Sequence, residues 1–254
     1  MRDEIGTQAR RRTAVVATSG TAIVVTIVAA VAGLIELHGQ RDGAGPEPAP
    51  SGMVVSVPGI AKSAAVPSAS GTESTGDGDL SWVSVAGARL PVSRSAGPRD
   101  TSAGLARGFA FSELGAVLAA AHVTLRLSPQ VGPTVFEATL RDQVVGEDAE
   151  ALGRNLAEEY EQARIRLGVP YGEPAGRLYA VARGYQVRLS GHEAQVRLLI
   201  EGPGMWQPVL IELTVRTRWS GSDWQVVAPA GGLWGDDTRI AADTAGFVWL
   251  PVER

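Results

Sequence analysis

The chain has 254 residues, 23 basic against 27 acidic for a net charge of −4, and no cysteine. That composition excludes a disulfide scaffold, a thiolate metal site and a cysteine-linked lipid anchor, and it offers no basic excess for electrostatic binding of nucleic acid. Every basic residue except Lys62 is arginine, a bias that points to a GC-rich genome.

Arg10, Arg11 and Arg12 precede Thr13–Ile35, 23 residues without a charge. At 1.5 Å per residue that run is long enough to cross a bilayer core of about 30 Å with some tilt. Thr18, Ser19 and Thr21 dilute it, but a helix bonds such hydroxyls to its own carbonyls. Ala30-Val31-Ala32 fits the small-x-small pattern of a cleaved export signal. The run exceeds the usual signal core of roughly 7–15 residues, so an uncleaved anchor is expected. Arg2 and Arg10–Arg12 outweigh Asp3 and Glu4, which predicts residues 1–12 in the cytoplasm, 13–35 as a single span of the cell membrane and the remainder outside. Residues 36–79 are rich in Gly, Pro, Ser and Ala and contain no aromatic side chain. They read as a flexible linker with a root-mean-square reach of about 35 Å.

Residues 80–254 carry the pattern of one α+β domain. Residues 82–92 read as two short strands about a Gly turn, and 97–110 as an irregular connection. Leu114, Val117, Leu118, Ala121 and Leu125 recur at helical spacing, predicting a helix with one buried face, N-capped by Ser112 and barred from continuing by Pro129. A shorter helix is expected from Pro133 to a stop at Gly146, with Phe136 and Leu140 on one face and a Glu137–Arg141 pair on its flank. The strongest helical stripe is Leu152, Leu156, Tyr160, Ala163 and Leu167. The last third alternates with period two. Tyr179, Val181, Tyr185, Val187 and Leu189 form one set, interrupted by Arg183. Ala194, Val196, Leu198 and Ile200 form the next. In the third, Val209, Ile211, Leu213, Val215 and Trp219 point inward, with Glu212, Thr214, Arg216 and Arg218 outward. Long antiparallel strands with one apolar face need a cover, and the helices supply it: a curved antiparallel sheet wrapped around helices.

Helices followed by a long meander ending in "RWSGSDWQVV" resemble the nuclear-transport-factor-like cone fold. The stretch "GPRDTSAGLARGFAFSELGAVLAAAHVTLRLSPQVGP" resembles an actinobacterial family found with conjugative elements. The layout of short tail, span, linker and cone-fold domain is similar to that of the TcpC-like and eighth-VirB-component families of type IV secretion systems. TcpC is drawn with two such domains, whereas this chain has room for one. The resemblance implies a structural or assembly subunit of a conjugative DNA-transfer complex. Its partners would be the membrane and other secretion or conjugation subunits, with a homo-oligomer possible in such assemblies and no direct nucleic-acid contact. The alternative it leaves open is an anchored cone-fold domain that binds a small molecule or a cell-wall component.

The side chains that could carry chemistry are few. His122 lies on the apolar face of its helix, where it is either a general base in a pocket or a hydrogen-bonded core residue, and no partner is visible in the sequence. His192 sits in the "SGHE" turn and His38 at the expected membrane exit; three scattered histidines do not make a metal site. Asp236-Asp237 lacks the Gly-spaced surroundings of a calcium loop and reads as a surface loop. "GLARGFA" lacks the Lys of a phosphate-binding loop. Arg183 either pairs with an acid or faces a partner, and Trp206 and Trp234 either anchor a partner or fold back into the core. No catalytic, cofactor-binding or metal-ligating residue is expected, and the chain is not expected to be an enzyme. For topology, external protease applied to wall-stripped cells should release a fragment the size of residues 80–254; full protection would reverse the orientation.

Overall fold

The computed structural model describes residues 79–204 and 206–251. The expected tail, span and linker up to residue 78 lie outside the described residues. Among the described residues no helix is long and apolar enough to cross a membrane.

Strands β1 (Leu80–Val85) and β2 (Ala88–Ser93) form an antiparallel hairpin. Its turn residues Ala86 and Gly87 both have positive φ, the geometry whose twist matches that of the strands it joins. Gly87 is required twice over, because a Cβ there would stand 2.4 Å from the Leu178 carbonyl oxygen.

Helix α1 (Glu113–Arg126) begins as expected, with the Ser112 hydroxyl accepting from the Gly115 amide at 3.1 Å. It buries far more than one face. Every residue from Gly115 to Thr124 is buried, and so is Arg126. Ala116, Ala119, Ala120 and Ala121 explain this, since small side chains let neighbours close in from all sides. Helix α2 (Pro133–Gln143) starts at its proline and buries Phe136. It stops before Gly146, because Val144 and Val145 leave it as strand β3. Arg141 turns to Asp142 at 2.9 Å in place of the expected Glu137 pair. Helix α3 (Ala149–Leu167) buries Leu152, Leu156, Tyr160 and Ala163, while Leu167 is exposed beside the left-handed Gly168 that ends the helix.

Strands β4 (Val181–Ser190), β5 (Glu193–Gly202), β6 (Val209–Trp219) and β7 (Trp224–Val227) form the antiparallel meander. The order is β1-β2-β4-β5-β6-β7-β3. The sheet curls as a half-barrel around α1, so the class is α+β as expected. It is not purely antiparallel: β2 meets β4 in parallel at Arg89–Val181, and β3 runs parallel to β7.

Two departures from the expected alternation have local causes. At Arg183 the register jumps from Ala182–Ile200 to Gly184–Leu199, a bulge that switches the inward parity. Ala182 is therefore buried before the bulge, Tyr185, Val187 and Leu189 pack on the core after it, and Tyr179 is exposed. Glu212, expected outside, is only 3% exposed because a third layer covers it. Strand β8 (Thr238–Ile240) pairs with β6, and β9 (Val248–Trp249) pairs with β4. The intervening strap crosses the outer face of the meander, with Phe247 against the Arg197 guanidinium at 4.9 Å and the Ala245 carbonyl accepting from Gln186 at 3.1 Å.

The β6–β7 turn grips the connection that precedes α1. Asp223 accepts from the Gly108 amide at 2.7 Å and from the Phe109 amide at 3.1 Å. The indole of Trp224, fully buried, donates to the Ala110 carbonyl at 2.9 Å. Bonds from amides to a charged acceptor are each worth roughly 1.5–3 kcal/mol. Asp223→Ala should therefore lower unfolding free energy by about 2–4 kcal/mol in denaturant titration, with the slope unchanged; a loss under about 0.5 kcal/mol would show that the grip contributes little.

Candidate functional site

The half-barrel is almost filled. Between α1, β2, β4, β5, β6 and the segment 178–180 remains a recess of about 60 Å³. Leu90, Ala121, Leu125, Leu198, Ile200 and Leu213 line it, with Arg89 at its side. Its other polar side chain is Thr124, 5% exposed, whose hydroxyl has no hydrogen-bond partner among the described residues. A helical threonine ordinarily bonds back one turn, as Thr139 does to the Val135 carbonyl at 2.8 Å. Thr124 does not, and its hydroxyl oxygen is sealed off, so it adds no accessible polar atom to the wall of the recess. Pockets for drug-sized or nucleotide-sized ligands run to roughly 300–1,000 Å³, so this one suits an aliphatic group of a few carbons.

His122 is one turn of α1 away and fully buried. Its Nε2 lies 2.8 Å from the Pro91 carbonyl, and its Nδ1 lies 3.2 Å from Nη1 of Arg126. A carbonyl only accepts and a guanidinium only donates, so Nε2 carries the proton and Nδ1 is an acceptor. Burial, reinforced by the Arg126 charge, pushes the imidazole pKa down to about 4. Arg126 itself is held by the Gly104 carbonyl at 2.7 Å and the His122 carbonyl at 2.9 Å, and burial lowers its pKa to about 10. Both ring nitrogens are engaged and, among the described residues, no carboxylate contacts the imidazole, so His122 is the hydrogen-bonded core residue of the two readings.

The other singled-out residues are dispersed. His192 is exposed in its turn, its ring edge-on to Phe111 at 5.4 Å. Arg183 forms a two-pronged pair with Glu201, at 2.7 and 3.0 Å. Asp236 and Asp237 cap the start of β8; the Asp237 carbonyl accepts from Thr214 at 2.8 Å, and burial pushes the Asp237 carboxyl pKa up. Trp234 is 4% exposed and plugs the core, whereas Trp206, on the β5–β6 loop, is 89% exposed. Tyr179, between two residues that line the recess, is 64% exposed. His38 lies outside the described residues. Among the described residues no group of His, Asp and Glu could hold a metal ion.

Sequence reasoning missed Thr124 and Asp223. The run of alanines in α1 was the available signal for the first, since a helix walled in on all sides leaves its hydroxyls short of partners. Asp223 stood in plain view in "SGSDW", two residues after the turn glycine.

A family described as "Domain of unknown function (DUF8175)" matches residues 45–249, most of the chain. The chain belongs to this family. The match starts inside the stretch expected to be a linker and takes in the hairpin, the helices, the meander and the strap. No curated protein and no solved structure matches the chain.

The buried imidazole gives the domain a pH signature. The unfolded chain takes up a proton at the ordinary pKa of 6.5 and the folded chain only near pH 4. The unfolded state thus binds more protons between those values, and the contribution of neutral His122 is intact above pH 6.5 and lost progressively on acidification to about 4. The slope approaches about 1.4 kcal/mol per pH unit at most. His122→Gln should cost modest stability at pH 7.5 and flatten the pH dependence between 6.5 and 4; identical slopes in both proteins would mean that the ring is already charged in the fold.

Proposed function

We propose that the chain is a bitopic assembly subunit of a conjugative, type IV secretion-like complex. One span at 13–35 would anchor it, and the half-barrel domain would serve outside the membrane as the cone-shaped domain of the TcpC-like and eighth-VirB-component families does. The observation that carries this reading is a filled interior beside exposed aromatics. The half-barrel holds α1, with Phe109 and Trp224 buried in the same core, where a catalytic cone would hold a cavity, while Tyr179, between two residues lining the remaining recess, and Trp206, on the β5–β6 loop, stand exposed. Exposed Trp and Tyr side chains are anchors typical of a protein interface, and the small recess beside Tyr179 would receive an aliphatic side chain of the partner.

A second reading, an anchored domain that binds a small molecule or wall component, draws on the apolar recess itself. A ligand with a short aliphatic end would fit it.

Deleting the gene from a donor cell should abolish or sharply lower conjugative transfer without affecting growth. Neither the anchor alone nor residues 80–254 alone should restore it. Tyr179→Ala with Trp206→Ala should cut transfer while the protein accumulates and localises normally. Normal transfer from the deletion strain would remove the secretion reading, and full rescue by the soluble domain would remove tethering from the role.

A further inference from the structure

The outer face of the meander is a lattice of arginine–carboxylate pairs. Arg183 binds Glu201, Arg197 binds Glu212 with both prongs at 2.7 and 2.8 Å, Arg239 joins the same Glu212 at 2.6 Å, and Arg218 reaches Glu193 at 3.1 Å. Two arginines of this face stand apart. Arg188 and Arg216 are exposed and have no ion pair or hydrogen bond among the described residues.

Their placement is fixed by register. Arg188 pairs with Gln195 across β4–β5, and Gln195 pairs with Arg216 across β5–β6. The three side chains therefore form one cross-strand row, with the arginine Cα atoms about 10 Å apart and an amide between them. In the neighbouring row, Glu193 stands between Ser190 and Arg218. Gln195 holds the place where a carboxylate would neutralise its row as Glu193 serves the next. The strap covers the polar network at Gln186, Arg197 and Glu212 and leaves this row open. The two rows border a groove of about 290 Å³ formed by Arg188, Gln195, Arg216, Arg218 and Glu193. Glu193 is already taken by Arg218, and Asp237, whose field reaches Arg216, is held in its turn by the backbone. From Leu80 onward the chain carries 17 arginines and 19 acids, so this groove is a local basic spot on a mildly acidic domain.

We infer that the row Arg188–Gln195–Arg216 docks an acidic segment of a partner polypeptide, one carboxylate seated between the two guanidinium groups above the Gln195 amide. The inference rests on the partner-binding reading and names the charge its partner carries. A carboxylate is favoured because the other arginines of β4, β5, β6 and β8 hold carboxylates, Arg183 and Arg197 with both prongs. Both guanidinium groups reach a shared point from Cα atoms at that separation, and the amide supplies a further donor.

The test is fluorescence anisotropy with the full-length protein and labelled hexaglutamate at low salt, with hexalysine as control and inorganic pyrophosphate as competitor. Hexaglutamate should bind and hexalysine should not. Gln195→Glu, which supplies the row with its own carboxylate, should weaken binding about tenfold, and so should Arg188→Ala with Arg216→Ala. Absence of hexaglutamate binding, equal binding by these variants, or displacement by pyrophosphate at concentrations below those of unlabelled hexaglutamate would overturn the inference, the last in favour of a phosphate-bearing ligand. The two proposals fail separately. Normal transfer from a deletion strain with selective hexaglutamate binding overturns the conjugation reading alone, and lost transfer with unselective binding overturns this one alone.

Discussion

The grip of Asp223 and Trp224 on residues 108–110 pins the approach to α1 onto the meander. The helices are built from residues 113–167 and the meander from 181–227, and one shared apolar core joins them, but such packing is non-directional and leaves the seating of α1 to polar contacts. Asp223 resolves this by accepting two amides from the strand-free approach to α1, while the Trp224 indole bonds the next carbonyl. The contacts fix where α1 enters the half-barrel. They also explain why Gly115 follows: a Cβ there would meet the Ala110 carbonyl oxygen at 2.0 Å, so the helix passes against the gripped segment with no room for a side chain. Phe111 then lies over Trp224 and beside Trp219 and closes the end of the barrel with aromatic contacts.

That geometry brings together two stretches of distinctive sequence. "GLARGFAFSELGAVLAA" and "RWSGSDWQVV" are far apart in the chain and are in contact in the fold. Their contact ties Asp223, the Trp224 indole and the small residue at 115 to one segment, residues 108–110.

Much of the architecture was legible because the domain obeys local rules. The hairpin at 80–93, the Ser112 cap, the proline start of α2, the α3 stripe and the three long strands all follow from period and punctuation. What was not legible depends on tertiary contacts. A bulge at Arg183 costs one residue of register, and alternation cannot reveal where that residue is inserted. The burial of Glu212 comes from a strap that arrives some thirty residues later, from a stretch with weak periodicity. Leu167 continued the helical stripe but lies past the point where α3 leaves the core. The recess was hidden for the same reason, since its walls come from α1, four strands and the segment 178–180. The strap also divides the outer face of the sheet. Beneath it arginines and glutamates satisfy one another; beyond it two arginines remain for something else.

Native-state amide hydrogen exchange tests the grip most directly. If Asp223 and Trp224 pin the approach to α1 onto the meander, the Gly108 and Phe109 amides exchange only through global unfolding, as slowly as the amides of Val196 and Val215 at the centre of the meander. Rapid exchange at 108 and 109, with the strands still protected, would contradict it and would mean that the connection opens independently of the sheet.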